Sequence, residues 1–458
     1  MIDKNKTYEC EITDLTVNGD GVAKINAYPL FVKGAIPGDK LIIKPTKLNK
    51  TYGFAKIIKL LTPSGQRRKP PCSAFSKCGG CLLMHQNYEG QLKFKSDFVL
   101  SNILKFGGFT PDDFLYEEII PCDNEFFYRN KAQFPVRKEG SKTVCGFYEP
   151  KSHSVIDCTD CYIQNSVINK AVEKTLFFVK ENKIDAYNEE THTGVLRHIY
   201  IRYSQENKEL MVVLVTNSKK RIKNVSYLVN MLSPLGLKSL VQNINTKKTN
   251  VVLGDEDIIL WGEEHIIMQV DDLKFKVSPK SFFQVNTPQM KKLYKKALEY
   301  ATLNGSQTVF DLYCGVGSIS LYMAKKAKKV IGVEIVPSAI ENAKENASLN
   351  GVTNAEFYCG DCTEVVENLI SKGEKADVVV IDPPRKGCDE KLLNLINNIS
   401  PEKIVYVSCN SATLGRDLKI LKAFGYKLHK SCAVDLFPQS THCEAVAVLE
   451  RLSLPKGK

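Results

Sequence analysis

The feature that most constrains this chain is a glycine turn between an apolar strand and a helix, Phe310-Asp311-Leu312-Tyr313-Cys314-Gly315-Val316-Gly317-Ser318. Two glycines one residue apart let the backbone turn sharply and approach a ligand closely. The surrounding pattern alternates. Strands are predicted at 308–312, 330–335, 355–358, 378–381, 403–408 and 445–449, with helices at 318–327, 337–350, 363–372, 389–398 and 411–424. Such alternation builds a doubly wound α/β domain with a mainly parallel sheet. Its ligand crevice lies at the carboxyl ends of the strands, so the residues there are the candidates for chemistry.

Glu334 ends the second strand, 17 residues after Gly317. An acid at that place accepts hydrogen bonds from both hydroxyls of a ribose. A nicotinamide dinucleotide would use similar geometry, but its fingerprint needs a third glycine three residues after the second, and Ser320 stands there. The run Asp311 to Gly315 also matches the methyltransferase pattern better. Gly315, Gly317 and Glu334 therefore point to S-adenosylmethionine (SAM). Asp361, after the third strand, has two readings: a contact to the adenine edge, or a helix N-cap. Asp382 ends the fourth strand, and Pro383-Pro384 fix the turn that presents it. Arg385 follows, where amino-methyltransferases have an aromatic residue. Cys409 ends the fifth strand. Asn410 then opens a helix whose N-terminal dipole is expected to favour a thiolate.

The rest of the chain divides into three parts. Residues 1–63 read as short strands separated by turns such as Asn18-Gly19-Asp20-Gly21, a small β-barrel. Residues 64–90 are a Cys/Pro/Gly segment. Residues 91–279 read as a central α+β domain, opened by a helix at 91–106. The net charge is +12, and residues 1–100 hold 16 Lys/Arg against 8 Asp/Glu. A basic, folded N-terminal part fits a nucleic acid, or is only a solvated surface. Phe127 to Phe134 interleaves rings and cations, as a base-stacking segment or as an amphipathic strand. Met1 to Asp14 is polar, and no apolar run approaches the roughly 18 residues needed to cross a bilayer. A cytoplasmic protein with no membrane partner is expected.

The barrel resembles the TRAM domain, an RNA-binding barrel of RNA-modifying enzymes. Five motifs together resemble the RNA uracil-5-methyltransferase family: Ser281 to Asn286, the loop 311–318, Asp382 to Gly387, Ser408-Cys409-Asn410, and His442-Cys443-Glu444. The resemblance spans essentially the whole chain. It implies a multidomain enzyme: a TRAM/OB-like barrel at 1–63, an iron–sulfur segment at 64–90, a central RNA-binding domain at 91–279, and a Rossmann-like class I methyltransferase at 280–458. It assigns Gln284, Tyr313, Glu334 and Asp382 to SAM or uracil contacts, Cys409 as nucleophile and Glu444 as general base. Cys443 is an unusual middle residue for its motif.

Fifteen cysteines without a signal peptide point to metal, catalysis or buried thiols rather than disulfides. Cys72, Cys78 and Cys81 are spaced C-x5-C-x2-C among turn-forming glycines, a metal-ligand pattern. Zinc is the default for four cysteines. The resemblance instead implies a [4Fe–4S] cluster, with Cys161 as fourth ligand and Cys158 as its rival. Cys359 and Cys362 are read as packing. The expected substrate is 23S ribosomal RNA and the expected state a monomer. The alternatives are a transfer-RNA uridine-C5 enzyme, an amino-methyltransferase using Asp382-Pro383-Pro384, and an idle RNA-binding factor.

Overall fold

The computed structural model describes residues 2–140 and 142–452. Its N-terminal strands β1 (Tyr8–Leu15), β2 (Gly21–Ile25), β3 (Tyr28–Val32), β4 (Lys40–Leu48) and β5 (Gly53–Thr62) close into a barrel in the order β1-β2-β3-β5-β4. Alternation puts Ile12, Ala23, Leu30, Leu41, Ile43 and Ala55 inside. Buried Asp39 accepts from the amides of Ile36 (2.9 Å) and Ser64 (3.0 Å) and pairs with Arg67, which ties the barrel to the segment that follows.

Helix α1 (Tyr88–Gly107) starts where the Asn87 side chain accepts from the Gly90 amide at 2.9 Å, and ends at Gly108 with φ 64°. Strand β6 (Leu115–Ile120) follows. A sheet then forms from β7 (Lys131–Glu139), β8 (Lys142–Tyr148), β9 (Val155–Asp157), β10 (Leu196–Ser204), β11 (Glu209–Thr216), β12 (Leu237–Ile244) and β13 (Glu256–Gly262), in the order β13-β12-β11-β10-β7-β8-β9. Helices α2 (Ser166–Glu181) and α3 (Val225–Leu232) cover one face, against Ile199, Ile201, Val212 and Leu214. Tyr200, Met211, Val213 and Val215 point the other way. They pack with the hairpin β14 (Ile266–Val270) and β15 (Leu273–Val277) and with the C-terminal sheet's helices. Burial on both faces explains the unbroken apolar runs. Within 127–134, Phe134 and Tyr128 are buried and only Phe127 points outward, against Tyr162. That stretch is chiefly an amphipathic strand entry.

Helix α4 (Thr287–Ala301) leads into the alternating part: β16 (Thr308–Leu312), α5 (Ser318–Ala324), β17 (Lys329–Glu334), α6 (Pro337–Leu349), β18 (Ala355–Cys359), α7 (Cys362–Ser371), β19 (Val378–Ile381), α8 (Glu390–Ile399), β20 (Lys403–Ser408), α9 (Ser411–Ala423), β21 (Tyr426–Val434) and β22 (Glu444–Arg451). The sheet order is β18-β17-β16-β19-β20-β22-β21-β6. One sequence expectation needs correction here. Residues 88–120 do not open the central domain: β6 is paired with β21, and Val99 and Ile103 of α1 share a core with Leu414 and Leu418 of α9. The physical reason is the sheet edge that β21 would otherwise leave unpaired, which β6 covers.

Candidate active site

The strand order reverses between β16 and β19, and the glycine turn sits at this switch point. Tyr313, Gly315 and Gly317 all have positive φ, at 66°, 54° and 78°. A Cβ on Gly315 would meet nothing within 4 Å, so that side of the turn is open to a ligand. A Cβ on Gly317 would lie 3.0 Å from the Phe357 ring and 3.1 Å from Ala343. Gly317 therefore serves helix–sheet packing. The Glu334 carboxylate accepts from the amides of Gly315 (3.2 Å) and Val336 (3.0 Å), which holds it beside the turn. Asp361 accepts from the Thr363 amide at 2.9 Å, an N-cap to α7.

Gln284 is buried in a segment braced from two sides. Its carbonyl accepts from Asn130 Nδ2 (3.0 Å), while Ser281 Oγ accepts from Asn342 Nδ2 of α6 (3.2 Å). Phe282, between them, is 69% exposed.

Asp382 follows β19 and Cys409 follows β20. Strand β22 runs antiparallel to β20 with Ser408 opposite Ala445, so Glu444 falls opposite Cys409. Burial, then repulsion from Asp382, raises the Glu444 carboxyl to about 8. Burial and Asp311 raise Asp382 to about 7. Cys409 is pushed up to about 11 by burial, Glu444 and Asp382, with Arg385 opposing. The following helix is expected to favour a thiolate, and Asn410 does cap α9, but burial and the two carboxyls raise the Cys409 thiol rather than lower it. The Arg385 guanidinium opposes the rise of both Cys409 and Glu444, an effect not legible in sequence. The Arg385 carbonyl is held by Asn410 Nδ2 at 3.0 Å.

Cys409 and His442 open onto a cleft of about 1070 Å³, walled by α1 and by the β1–β2 turn of the barrel. The barrel and the methyltransferase sheet thus share one groove.

Cys72, Cys78, Cys81, Cys158 and Cys161 line a separate cavity of about 310 Å³, with Arg129 and Lys131. Amides of Ala74 and Phe75 point at the Cys72 sulfur, that of Gly80 at Cys78, and those of Ile163 and Gln164 at Cys161. Cys158 has no such amide; its thiol bonds Cys72 and the Asp160 carbonyl. Buried Arg129 Nε lacks a partner, and burial lowers Lys131 to about 8. Among the described residues, no group of three or more His, Cys, Asp or Glu is gathered tightly enough for a single metal ion. Cys359 is exposed and Cys362 buried in the core, apart from this cavity.

A doubly wound sheet with this glycine turn, joined to a small closed barrel, defines a class I methyltransferase with an RNA-binding module. The family described as tRNA (Uracil-5-)-methyltransferase matches residues 87–452, and the TRAM domain matches residues 3–58. The chain belongs to the SAM-dependent RNA uracil-5-methyltransferase family. It is 45% identical to an uncharacterized RNA methyltransferase of Clostridium tetani, over 98% of this chain and 97% of that one. It is 44% identical to another of Halalkalibacterium halodurans, over 98% of each. Among solved structures it resembles the Pyrococcus abyssi tRNA (uracil-54, C5)-methyltransferase in complex with S-adenosyl-L-homocysteine. That match has TM-score 0.78 and 30% identity, and covers 96% of this chain and 100% of that chain. No helix among the described residues is long and apolar enough to cross a membrane.

Proposed function

We propose that this protein is a cytoplasmic, monomeric enzyme that methylates C5 of uridine in 23S ribosomal RNA through a covalent adduct of Cys409. The observation that carries the reading is the convergence of Cys409, Asp382 and Glu444 at one crevice beside the glycine turn. Gly315, Gly317, Glu334, Tyr313 and Gln284 would hold SAM, with Asp382 at the uracil. Asp361, which spends one oxygen on its cap, has the other free for the adenine. When bound, SAM supplies an electrophilic methyl group on a sulfonium.

Uracil C5 is too weak a nucleophile to take that methyl directly. Cys409 loses its proton to solvent as its sulfur bonds to C6, and the electron pair of the C5–C6 double bond moves into an enolate. C5 then takes the methyl group, and the electron pair of the broken carbon–sulfur bond stays on sulfur, which leaves as a neutral thioether. Glu444 removes the C5 proton, the double bond re-forms and the thiolate leaves, recovering its proton from Glu444. A carboxyl raised to about 8 is a better base than an ordinary one. Arg385, beside both groups, stabilises their anionic forms.

We propose further that Cys72, Cys78, Cys81 and Cys161 hold a [4Fe–4S] cluster. The residues fit it: the cavity has room for more than one ion, Arg129 and Lys131 offset an anionic group, and amides directed at Cys72, Cys78 and Cys161 favour thiolates there. Those amides favour Cys161 over Cys158 as fourth ligand. When bound, the cluster supplies a crosslink between residues 72–81 and the central sheet. Iron analysis with absorbance near 400 nm tests this; colourless protein with stoichiometric zinc would refute it.

The barrel and cysteine cavity support ribosomal RNA. The Pyrococcus abyssi structure, matched over the whole of its chain, supports the second reading, a transfer-RNA uridine. Mapping 5-methyluridine in both RNAs, from cells with and without the gene, decides between them. Loss from ribosomal RNA is the expected result; loss from transfer RNA alone overturns it.

A further inference from the structure

Glu444 is the first residue of β22 and stands opposite Val434 of β21, where the loop 435–443 closes. Among the described residues its carboxyl takes part in no hydrogen bond; burial and neighbouring charges alone act on it. No side chain therefore aims the carboxyl. Its place is set by the main chain of the loop that ends at it.

That loop turns at Phe437-Pro438-Gln439-Ser440. The Ser440 amide donates to the Phe437 carbonyl at 3.2 Å, proline stands second, and Gln439, third, has φ 71°. This is the pattern of a type II turn, whose third position favours glycine. A longer side chain there is strained, so glutamine has to be held by its contacts. Gln439 is fully buried, and its carbonyl accepts from the amides of Leu82 and Leu83, both at 2.9 Å. Its amide donates to Gln91 Oε1 at 3.0 Å and its Nε2 to Glu125 Oε2 at 2.9 Å. Its Oε1 accepts from Arg68 and Gln91, both at 3.1 Å. Every one of these partners lies within residues 68–125, and none is on a strand of the sheet to which the loop belongs.

A second tie runs beside the first. Tyr128 donates to the Pro438 carbonyl at 2.9 Å, and its ring packs with Met84 and Ile163 against Cys81 and Cys161. Leu82 itself follows Cys81. The wall of the cysteine cavity thus grips the turn by two routes. From the turn the chain runs straight to the crevice. The His442 amide donates to Ser440 Oγ at 3.3 Å, and Thr441, His442 and Cys443 line the cleft at Cys409.

We propose that Gln439, together with Tyr128, is a positioning residue that carries the placement of the cysteine segment to the Glu444 carboxyl. The role rests on the methyltransferase reading for what Glu444 does. It acts on one step: the C5 proton passes to the carboxylate, the C5–H pair forms the C5–C6 double bond, and the C6–S pair returns to Cys409. SAM binding and adduct formation are left alone, because Gly315 and Cys409 follow β16 and β20, which the loop does not carry. A carboxylate displaced by about 1 Å slows such a transfer by up to about 100-fold.

The test uses the full chain, SAM and total RNA from cells lacking the gene. Gln439→Gly suits φ 71° and keeps the carbonyl for Leu82 and Leu83, so it removes the side-chain ties without forcing the backbone. Arg68 and Glu125 remain paired with each other. Tyr128→Phe removes only the hydroxyl. Each variant is expected to form the Cys409–RNA adduct at the wild-type rate and to resolve it about tenfold more slowly. The double variant resolves it more slowly still. RNA-linked protein then accumulates on a denaturing gel, while SAM affinity by calorimetry is unchanged. Amide hydrogen exchange rises over residues 440–446 and not over 313–317. A general loss of packing would instead weaken SAM binding and slow adduct formation. That pattern, or wild-type resolution of the adduct in the double variant, overturns the positioning role. Wild type that forms neither adduct nor 5-methyluridine sinks the proposed activity; exchange that still rises over 440–446 in the variants then leaves the joint itself standing.

Discussion

Cys409 and Glu444 both act deprotonated, and both sit above their ordinary titration ranges, at about 11 and about 8. Methyl transfer is therefore expected to quicken from pH 6.5 to pH 9, read as kcat/KM on substrate RNA. Glu444→Gln should reach the covalent adduct and stall, giving RNA-linked protein on a denaturing gel and a loss of turnover of about 100-fold or more. Cys409→Ala should show neither adduct nor turnover. The raised carboxyls of Glu444 and Asp382 also act on stability. Their neutral forms favour the buried site. That contribution is complete below about pH 4 and is lost as pH climbs through about 7 to 8. Melting temperature should fall over that interval, and less steeply in Glu444→Gln.

At the scale of elements, α1 is locked to the C-terminal sheet by a buried ion pair. Lys95 Nζ lies 2.5 Å from Asp435 Oδ1 and 2.9 Å from the Phe437 carbonyl, and Tyr88 donates to the other Asp435 oxygen at 2.9 Å. Both charged side chains are fully buried. Lys95→Met leaves the carboxylate unpaired and is expected to destabilise by ~3–5 kcal/mol in urea unfolding. Adding Asp435→Asn should recover part of that. The glycine turn is a second such joint. Gly317→Ala forces a side chain into φ 78° and against Phe357, so it should cost at least ~1–2 kcal/mol. Calorimetry should show weakened SAM binding as well.

The whole molecule is organised around one groove and one separate cavity. The barrel and α1 wall the cleft to Cys409, while the cysteine cavity joins the segment after the barrel to the central sheet. If the cavity holds a cluster that crosslinks these parts, Cys81→Ser should lose iron and lower the melting temperature, with SAM affinity unchanged. Cys158→Ser should keep full iron content; loss of iron there would make Cys158 the ligand instead of Cys161.

By itself the sequence determined what depends on neighbours along the chain. The turn at 313–317, the acids at the strand ends and the strand–helix alternation are local patterns with local causes, and they lie where the periodicity puts them. The triplet of cysteines was legible for the same reason. The tertiary structure alone decided what depends on contact between distant segments. Glu444 meets Cys409 only because β22 pairs antiparallel to β20 in one register. The edge at β21 draws β6 into the C-terminal sheet from more than 300 residues away, and α1 comes with it to pack against α9. Burial beside two carboxyls reverses the expected titration of Cys409, and no spacing in the sequence reports how much water a side chain loses.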